Sequence, residues 1–311
     1  MDNVAFIGVD WGTTSFRLWA LEADGTVAAF TNGPFGMANL KRSDYGVVLE
    51  DSMAKIGIAH DVPVVICGMA GAAQGWCEAP YLPTPTPLYA LGSDATKVRG
   101  TTRDVRILPG VKQLSPANVM RGEETQIAGL LHHHPDFSGT VCLPGTHTKW
   151  VRVENQSILD FDTCMTGEQF GLFSSKSVLS HSMLVDGWSD AAFEDAVNVA
   201  LEEPETVPRL LFGIRANMLV SEQTAAEARA RLSGLLIGQE LSATRGFWEN
   251  RNVTLIGASE LSKLYSQALG QIGIAARALN TDEMTIAGLV SAYKIQKERH
   301  LCLGAVDVHL I

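Results

Sequence analysis

An aspartate and a glycine–threonine turn stand close together near the N-terminus, in the stretch VAFIGVDWGTTSFRLW from Val4 to Trp19. The apolar residues on either side of the turn predict two buried strands, and Gly12 is placed where the chain must reverse. Backbone N–H groups and the hydroxyls of Thr13 and Thr14 at such a tip can bind an anion. Asp10 offers a carboxylate to a hard cation such as Mg²⁺. The stretch therefore predicts a metal–nucleotide site, although an ordinary strand–turn–strand with a polar tip shares the pattern.

The same arrangement returns later in the chain, around the stretch LPGTHTKW that ends at Trp150. An apolar strand at Thr140–Leu143 again precedes a polar tip and a return strand. The tip contains the following candidate phosphate-binding residues: Gly145, Thr146, His147, Thr148 and Lys149. Phosphoryl transfer depends mainly on positioning and on neutralising negative charge, which such groups supply. The repeat predicts two similar α/β domains that face each other across a nucleotide.

A third small-residue turn, Gly257-Ala258-Ser259, follows an apolar strand at Val253–Ile256 and precedes a helix. A turn of such small residues lets a flat ligand such as an adenine ring lie against the backbone. Because many strand–helix turns favour glycine and serine, the motif gains weight only beside the two hairpins.

Two glutamates at the start of a predicted helix are candidates for the general base that a kinase needs near its acceptor hydroxyl. Glu123 is the preferred base, ahead of Glu124. Acidic residues also stabilise helix N-termini, so simple capping is the alternative. Arg121, on the same loop, could pair with an acidic acceptor or could be an ordinary surface arginine.

Two further loops could contact an acceptor. The turn that contains Gly68, Met69 and Ala70 follows the short strand Val62–Cys67, and ligands of open α/β sheets gather at strand C-termini. Glu168, in a loop after the second hairpin, is suited to accept hydrogen bonds from sugar hydroxyls.

The elements that must position these residues are predicted as mixed α/β. The first hairpin continues into a third strand at Thr26–Thr31, so the chain opens with an antiparallel meander and not with the βαβ unit of a Rossmann domain. The segment Gln74–Gly100 is long, irregular and proline-rich, and either covers a site or makes a surface excursion. The triplet His132–His134 is interpreted as a solvated helix end before Pro135 and not as a metal site, because adjacent helical side chains diverge.

Composition limits the classes of partner. The chain has 311 residues, 46% of them hydrophobic, and a net charge of −10. This acidic balance argues against a nucleic-acid partner. The sequence has no long uncharged apolar run that would predict a membrane-spanning helix. The N-terminus lacks a signal-peptide pattern. Five cysteines without CxxC spacing, at positions 67, 77, 142, 164 and 302, predict reduced thiols in a cytoplasmic protein and not a disulfide or zinc framework.

These motifs in this order resemble the actin, Hsp70 and sugar-kinase superfamily. More closely, the combination DWGTTSFRLW, ICGMAGAAQGW, EAPYLPTPTP, VMRGEETQ, LPGTHTKWV and FDTCMTGE is similar to the 2-dehydro-3-deoxygalactonokinase family. The resemblance implies ATP- and Mg²⁺-dependent phosphorylation of the 6-hydroxyl of 2-dehydro-3-deoxy-D-galactonate, in D-galactonate catabolism. It also implies two ribonuclease-H-like domains with mixed sheets flanking a nucleotide cleft.

By the same resemblance, Asp10 holds Mg²⁺ and Glu123 takes the position where related sugar kinases carry a catalytic aspartate. Glycine 257 and Ala258 stand where the superfamily usually has Gly-Gly. The candidates to bind the substrate's carboxylate and keto groups are Arg121, Arg17 and the loop Gly68–Ala73, although Arg17 could be structural.

The expected domain boundaries are 1–124 with a returning helix at 282–311 for the sugar-acid domain, and 125–281 for the nucleotide domain. Three other functions stay open at this point: a kinase for another sugar or sugar acid, an actin- or Hsp70-like ATPase without a sugar acceptor, and a phosphatase. The sequence leaves the oligomeric state open, a homodimer included.

Overall fold

The computed structural model describes residues 3–58, 61–183 and 187–306, with the side chains of residues 300–306 left out. Its strands are β1 (Phe6–Trp11), β2 (Phe16–Leu21), β3 (Val27–Gly33), β4 (Val64–Gly68), β5 (Tyr81–Pro83), β6 (Thr86–Pro87), β7 (Thr96–Lys97), β8 (Val105–Ile107), β9 (Gly110–Leu114), β10 (Ala117–Met120), β11 (Gly139–Leu143), β12 (Thr148–Glu154), β13 (Ser157–Cys164), β14 (Val253–Gly257) and β15 (Arg277–Asn280). Its α-helices are α1 (Tyr45–Lys55), α2 (Ala90–Ser93), α3 (Glu123–His133), α4 (Thr166–Lys176), α5 (Asp190–Glu202), α6 (Val207–Val220), α7 (Ala225–Ala243), α8 (Arg245–Trp248), α9 (Ser259–Gln271) and α10 (Thr281–Val306).

The chain forms two compact units. The first comprises the chain up to Phe137, the segment Val153–Asp160 and the C-terminal segment from Thr281, and the second comprises Ser138–Arg152 and Phe161–Asn280. Helix α3 belongs entirely to the first unit, so the division falls later in the chain than the expected boundary at residue 124.

The first unit is built on a six-stranded sheet with the order β3-β2-β1-β4-β8-β7. Strand β1 is antiparallel to β2 and parallel to β4, and β4 is parallel to β8. The apolar side chains of β1, β4 and β8 are buried in its core, as the continuous apolar runs of these strands require. The predicted opening meander is confirmed by the antiparallel pairing of β2 with β3.

The second unit repeats this sheet. Its strands have the order β15-β14-β11-β12-β13, with β11 parallel to β14 and β14 parallel to β15. The hairpin β11–β12 thus occupies the place that β1–β2 occupies in the first unit. This duplication confirms the predicted mixed α/β fold with two similar halves.

Helices α3 and α10 pack closely in the first unit, because each carries a glycine at the crossing. A β-carbon at Gly129 would lie 1.8 Å from the Met284 carbonyl oxygen, and one at Gly288 would lie 1.9 Å from the Thr125 carbonyl oxygen. Only a residue without a side chain permits this approach. The crossing fixes the N-terminal turns of both helices, and these turns carry Glu123 and Asp282.

Several predicted elements differ from the structure. After a strand at Val105–Leu108 the sequence predicts only a loop at Ser115–Asn118, whereas the structure forms the hairpin β9–β10 in this segment. The sequence predicts the final short strand at Ile274–Ala276, but the structure has it at β15. The sequence also predicts a helix from Ser221, but α7 begins at Ala225, because Thr224 caps it together with Glu227. The irregular segment Gln74–Gly100 contains short strands and the one-turn helix α2.

Candidate active site

Asp10 lies at the C-terminal end of β1, opposite Arg17 on β2 and Cys67 on β4. Its Oδ2 atom accepts a hydrogen bond from Arg17, whose other terminal nitrogen donates to Asp282. Burial opposes the charge of Arg17, but the two carboxylates outweigh burial and raise the pKa of its guanidinium. The contacts therefore support the structural role left open for Arg17, which orients Asp10.

The first tip is a tight turn backed by a loop that sequence reasoning did not single out. The Gly12 N–H donates to the Ser15 carbonyl at 2.9 Å, and the Met37 N–H donates to the Gly12 carbonyl at 3.0 Å. A β-carbon at Gly36 would lie 2.4 Å from the Thr13 carbonyl oxygen. Thr13 and Thr14 are exposed at the tip, as a ligand-binding turn requires. The sequence predicts a loop at Asn32–Asn39, NGPFGMAN, but it does not indicate that this loop supports the tip.

Gly68 leaves space beside Asp10. Its φ is +89°, a conformation that favours glycine, and a β-carbon there would lie 2.6 Å from the Trp11 carbonyl oxygen and 3.2 Å from Asp10 Oδ1. Asp10 Oδ1 therefore faces glycine backbone where another residue would place a side chain. A hard carboxylate oxygen beside such a space fits a hydrated Mg²⁺, which needs only one or two protein carboxylates.

Arg121 lies beneath the loop that follows β4 and is not a free surface arginine. Its Nη2 donates to the Ala79 carbonyl at 2.8 Å, and its guanidinium carbon lies 4.2 Å from the centre of the Tyr81 ring. A β-carbon at Gly71 would lie 2.7 Å from its Nη1, a buried atom for which no hydrogen-bond acceptor lies within the described part of the chain. Arg121 thus joins the start of α3 to the loop that contains Gly68, Met69 and Ala70.

Arg42 holds the other side of this loop. Its Nε donates to the Gly75 carbonyl at 3.0 Å, and its Nη2 donates to the Ala73 carbonyl at 2.6 Å. Sequence reasoning missed Arg42, since nothing in a lone arginine before a helix indicates a contact about 30 residues away. The two arginines hold the loop in place from opposite sides.

Helix α3 begins against the end of β4. Gly122, with φ +108°, would place a β-carbon 3.6 Å from the Gly68 Cα, so the two glycines bring the helix start close to the Asp10 edge of the sheet. Glu123 follows, half-buried, and its Oε2 accepts a hydrogen bond from the Arg121 N–H at 3.0 Å. The hydrogen bond between Arg121 and Glu123 is a capping interaction. Glu123 also lies at the same edge of the first unit's sheet as Asp10 and Gly68.

Glu124 is the buried member of the pair and caps the helix more fully. Both of its carboxylate oxygens lie 2.8 Å from the Gly122 N–H. Burial and the charge of Glu123 raise its pKa from 4.5 to about 7, although the hydrogen bonds and Arg121 oppose the shift. Glu124 therefore fits the capping alternative.

The raised pKa of Glu124 predicts a measurable pH dependence of stability. Between pH 4.5 and about 7 the folded chain keeps a proton that the unfolded chain has lost. Stability therefore falls as pH rises through this range, by up to about 3 kcal/mol. Glu124→Gln keeps a neutral acceptor for Gly122. In urea unfolding we expect it to match the wild type at pH 5 and to be the more stable protein at pH 8.

Glu123→Gln leaves Glu124 in place but removes the neighbouring charge that helps to raise its pKa, so the stability of this variant should fall less than that of the wild type between pH 5 and pH 8. If the unfolding free energies of the wild type and Glu124→Gln differ by the same amount at pH 5 and at pH 8, Glu124 does not titrate in this range.

The second tip divides into an exposed and a buried part. Thr146 and His147 are exposed and Gly145 is half-buried. Thr148 and Lys149, also predicted to face phosphate, are 0% and 4% exposed, and the Thr148 hydroxyl bonds the Tyr265 hydroxyl at 2.9 Å. Thr148 is the first residue of strand β12 and faces the core. The prediction that its side chain faces phosphate at the tip is therefore corrected.

The exposed part of the second tip packs on the start of α4. The Glu168 N–H donates to the Thr146 carbonyl at 2.9 Å, and His147 Nε2 lies 2.5 Å from Glu168 Oε2. A β-carbon at Gly167 would lie 2.3 Å from the Gly145 carbonyl oxygen. Glu168, predicted to meet sugar hydroxyls, therefore lies in the second unit, where it bonds the tip.

The small-residue turn that ends β14 borders the same tip. A β-carbon at Gly257 would lie 3.3 Å from the Pro144 carbonyl oxygen and 3.0 Å from Ser262 Oγ. Ala258 and Ser259 are exposed, and α9 begins at Ser259. The second unit thus brings together the second tip, Glu168 and the turn at 257–259, whereas the first unit brings together Asp10, the first tip, the Gly68 loop, Arg121 and Glu123.

The other histidines and cysteines that the structure describes lie outside these two groups. His132, His133 and His134 are exposed at the end of α3, as predicted. Among the described side chains, those of residues 3–58, 61–183 and 187–299, no group of three or more histidine, cysteine or acidic residues could hold a metal ion. Cys67, Cys77, Cys142 and Cys164 are free thiols, and the side chain of Cys302 lies outside the description. No described helix is long and apolar enough to span a membrane.

Comparison with known proteins places the chain in a family. The family model for 2-keto-3-deoxy-galactonokinase matches residues 10–292. A Rhizobium meliloti protein provisionally named a 2-dehydro-3-deoxygalactonokinase is 42% identical over 92% of this chain and 96% of its own length. The Escherichia coli 2-dehydro-3-deoxygalactonokinase is 32% identical over 92% of this chain and 96% of its own length.

Solved structures agree on the fold. A crystal structure from Sinorhizobium meliloti, provisionally described as a 2-dehydro-3-deoxygalactonokinase, has a TM-score of 0.89 and 41% identity, and covers 93% of this chain and 98% of its own. The activator of 2-hydroxyisocaproyl-CoA dehydratase from Clostridium difficile has a TM-score of 0.53 at 14% identity over 96% and 97% of the two chains, a likeness of fold alone. The sequence relatives and the family model together show that the chain belongs to the 2-keto-3-deoxy-galactonokinase family and is a kinase.

Proposed function

We propose that this protein transfers the γ-phosphoryl group of ATP to the 6-hydroxyl of 2-dehydro-3-deoxy-D-galactonate, a step of D-galactonate catabolism. The observation that carries the proposal is the 42% identity, across 92% of the chain, to a relative provisionally named for this activity. The residues of the two units supply the chemistry that the reaction needs: phosphate-binding tips, a carboxylate for a hard cation and an acidic residue for the acceptor.

The nucleotide is assigned to the residues with exposed backbone or hydroxyl groups. Thr13 and Thr14 of the first tip, with Gly12, bind phosphate through N–H groups and hydroxyls. In the second tip Thr146 and His147 have this role, together with the backbone of Gly145. Lys149, 4% exposed, contributes its charge from beneath the tip.

The adenosine part is assigned to the turn Gly257-Ala258-Ser259, whose small residues let a flat base approach the backbone. Asp10 would hold Mg²⁺, whose chemistry is to neutralise charge on the phosphates. Arg17 keeps the Asp10 carboxylate oriented for this role.

The acceptor is assigned to the first unit. Glu123 orients the 6-hydroxyl and takes its proton, because it is half-buried at the same sheet edge as Asp10. The loop of Gly68, Met69 and Ala70 forms the wall of the sugar-acid subsite. Arg121, which holds this wall, supplies the positive charge that favours the substrate's carboxylate.

Coupled measurement of ADP release tests this assignment. We expect ADP release to depend strictly on 2-dehydro-3-deoxy-D-galactonate, and to be at least about tenfold slower with an epimer, because an epimer leaves a hydrogen-bonding group of the site unpaired. Preference for a different sugar acid would correct the substrate. ADP release without any acceptor would favour an ATPase, and phosphate release from several esters a phosphatase.

The cytoplasm is the proposed location. Four of the cysteines are free thiols, the state that a reducing compartment maintains. ATP, the proposed phosphoryl donor, is supplied there.

A further inference from the structure

A buried carboxylate connects the elements of the second unit that carry its proposed nucleotide-binding residues. Glu240, near the end of α7, is 4% exposed. Its Oε1 accepts a hydrogen bond from Trp150 Nε1 at 2.7 Å, and its Oε2 accepts from the Tyr265 hydroxyl at 2.9 Å and from the Thr166 hydroxyl. The Tyr265 hydroxyl in turn bonds Thr148. No part of the proposed chemistry uses this glutamate.

The donors come from the elements that hold the candidate site. Thr148 and Trp150 lie on β12, which begins where the second tip ends. Thr166 is the first residue of α4 and immediately precedes Gly167 and Glu168, which pack on the tip. Tyr265 lies on α9, which begins in the small-residue turn.

Burying the Glu240 carboxylate costs free energy, so its hydrogen-bond network is not an incidental arrangement. A buried carboxylate is unfavourable unless hydrogen bonds satisfy it, and burial raises the pKa of Glu240 while its donors oppose the shift. A satisfied network of this kind fixes the relative positions of its members more strictly than apolar packing does. Here the network joins the strand that follows the second tip, the first residue of α4 and helix α9.

We propose that Glu240 is a positioning residue of the nucleotide site. It fixes the positions of the second tip, the start of α4 and the adenine-side helix α9 relative to one another, so that together they can bind MgATP. The inference rests on the proposed function, because it assumes that the second tip and the turn at 257–259 bind the nucleotide. Glu240 does not contact the ligand in this account; it acts through Thr166, Trp150 and Tyr265.

Single substitutions at the donors test the proposal with little risk to the fold. Thr166→Val and Tyr265→Phe each remove one hydroxyl, and Glu240→Leu removes the acceptor. We expect each to raise the dissociation constant for the magnesium complex of the β,γ-imido analogue of ATP about tenfold, the scale of one hydrogen bond. The KM for the sugar acid should stay within about twofold.

Two matched variants separate positioning from stability. Glu240→Gln can accept from Trp150 and donate to both hydroxyls, so it should bind the analogue within about threefold of the wild type. Leu232→Ala creates a cavity in the same helix α7, in a cluster with α5 and α6. It should lower the melting temperature without changing the dissociation constant.

Calorimetric titration of the analogue into each folded variant gives distinct outcomes, with Gly257→Val as the reference. Wild-type affinity in Thr166→Val and Tyr265→Phe, with binding lost in Gly257→Val, would overturn the role of Glu240 and leave the proposed site standing. Wild-type affinity in Gly257→Val as well would overturn the nucleotide placement itself. If Glu240→Leu does not fold, Thr166→Val and Tyr265→Phe decide alone.

Discussion

Glu123→Gln is expected to lower kcat by about 10²–10⁴-fold, the usual contribution of a general base, while the protein still binds ATP. Glutamine keeps the size of the side chain and an acceptor for the Arg121 N–H, so the start of α3 should not move. What it loses is the ability to take a proton from the acceptor hydroxyl. Steady-state kinetics and titration of the imido analogue measure the two effects separately.

Glu124→Gln is the matched control, since it makes the same change one residue later. The Glu124 carboxyl is fully buried and accepts a hydrogen bond from the Gly122 N–H at the start of the helix. Its kcat should stay within a few-fold of the wild type. Near wild-type turnover in Glu123→Gln would remove Glu123 from the role of base, and an equal loss in both variants would point to damage at the helix start.

Gly167→Ala is expected to weaken binding of the ATP analogue by about 10–100-fold, because the new methyl group cannot fit beneath the second tip. Its β-carbon would lie 2.3 Å from the Gly145 carbonyl oxygen and 2.9 Å from the Thr146 Cα. Overpacking of this kind costs about 1–3 kcal/mol, which the tip can relieve only by moving. Calorimetric titration with the analogue measures the loss.

Gly171→Ala provides the comparison in the same helix, one turn later. A β-carbon there has nothing within 4 Å, so binding should be unchanged, and alanine should stabilise the helix slightly. Wild-type affinity in Gly167→Ala would mean that the conformation of the second tip does not matter for the nucleotide.

The two hairpins could be predicted because their signal is local. Apolar strands on both sides of a glycine–threonine turn specify the hairpin, and the recurrence of the pattern at Gly145 indicated the duplicated sheet. The hairpin β9–β10 was missed because its strands are short and partly exposed. Strand β15 was misplaced because its residues, RALN, are mostly exposed, and the apolar signal lies in the preceding segment.

The chemistry of the site was less accessible from the sequence, because it depends on contacts between distant residues. Asp10 and Glu123 were proposed as site residues from local motifs. The pairing of Arg17 with Asp282 spans 265 residues, and that of Trp150 with Glu240 spans 90. A glutamate near the end of an alanine-rich helix has the pattern of a solvated residue, so the burial of Glu240 could not be foreseen.

Phosphorus NMR of the reaction product tests the assigned activity most directly. After incubation of the protein with MgATP and 2-dehydro-3-deoxy-D-galactonate, we expect a phosphate monoester whose phosphorus couples to the two protons on carbon 6. Inorganic phosphate as the only new signal besides those of ADP, or an ester on any other carbon, would contradict the assignment.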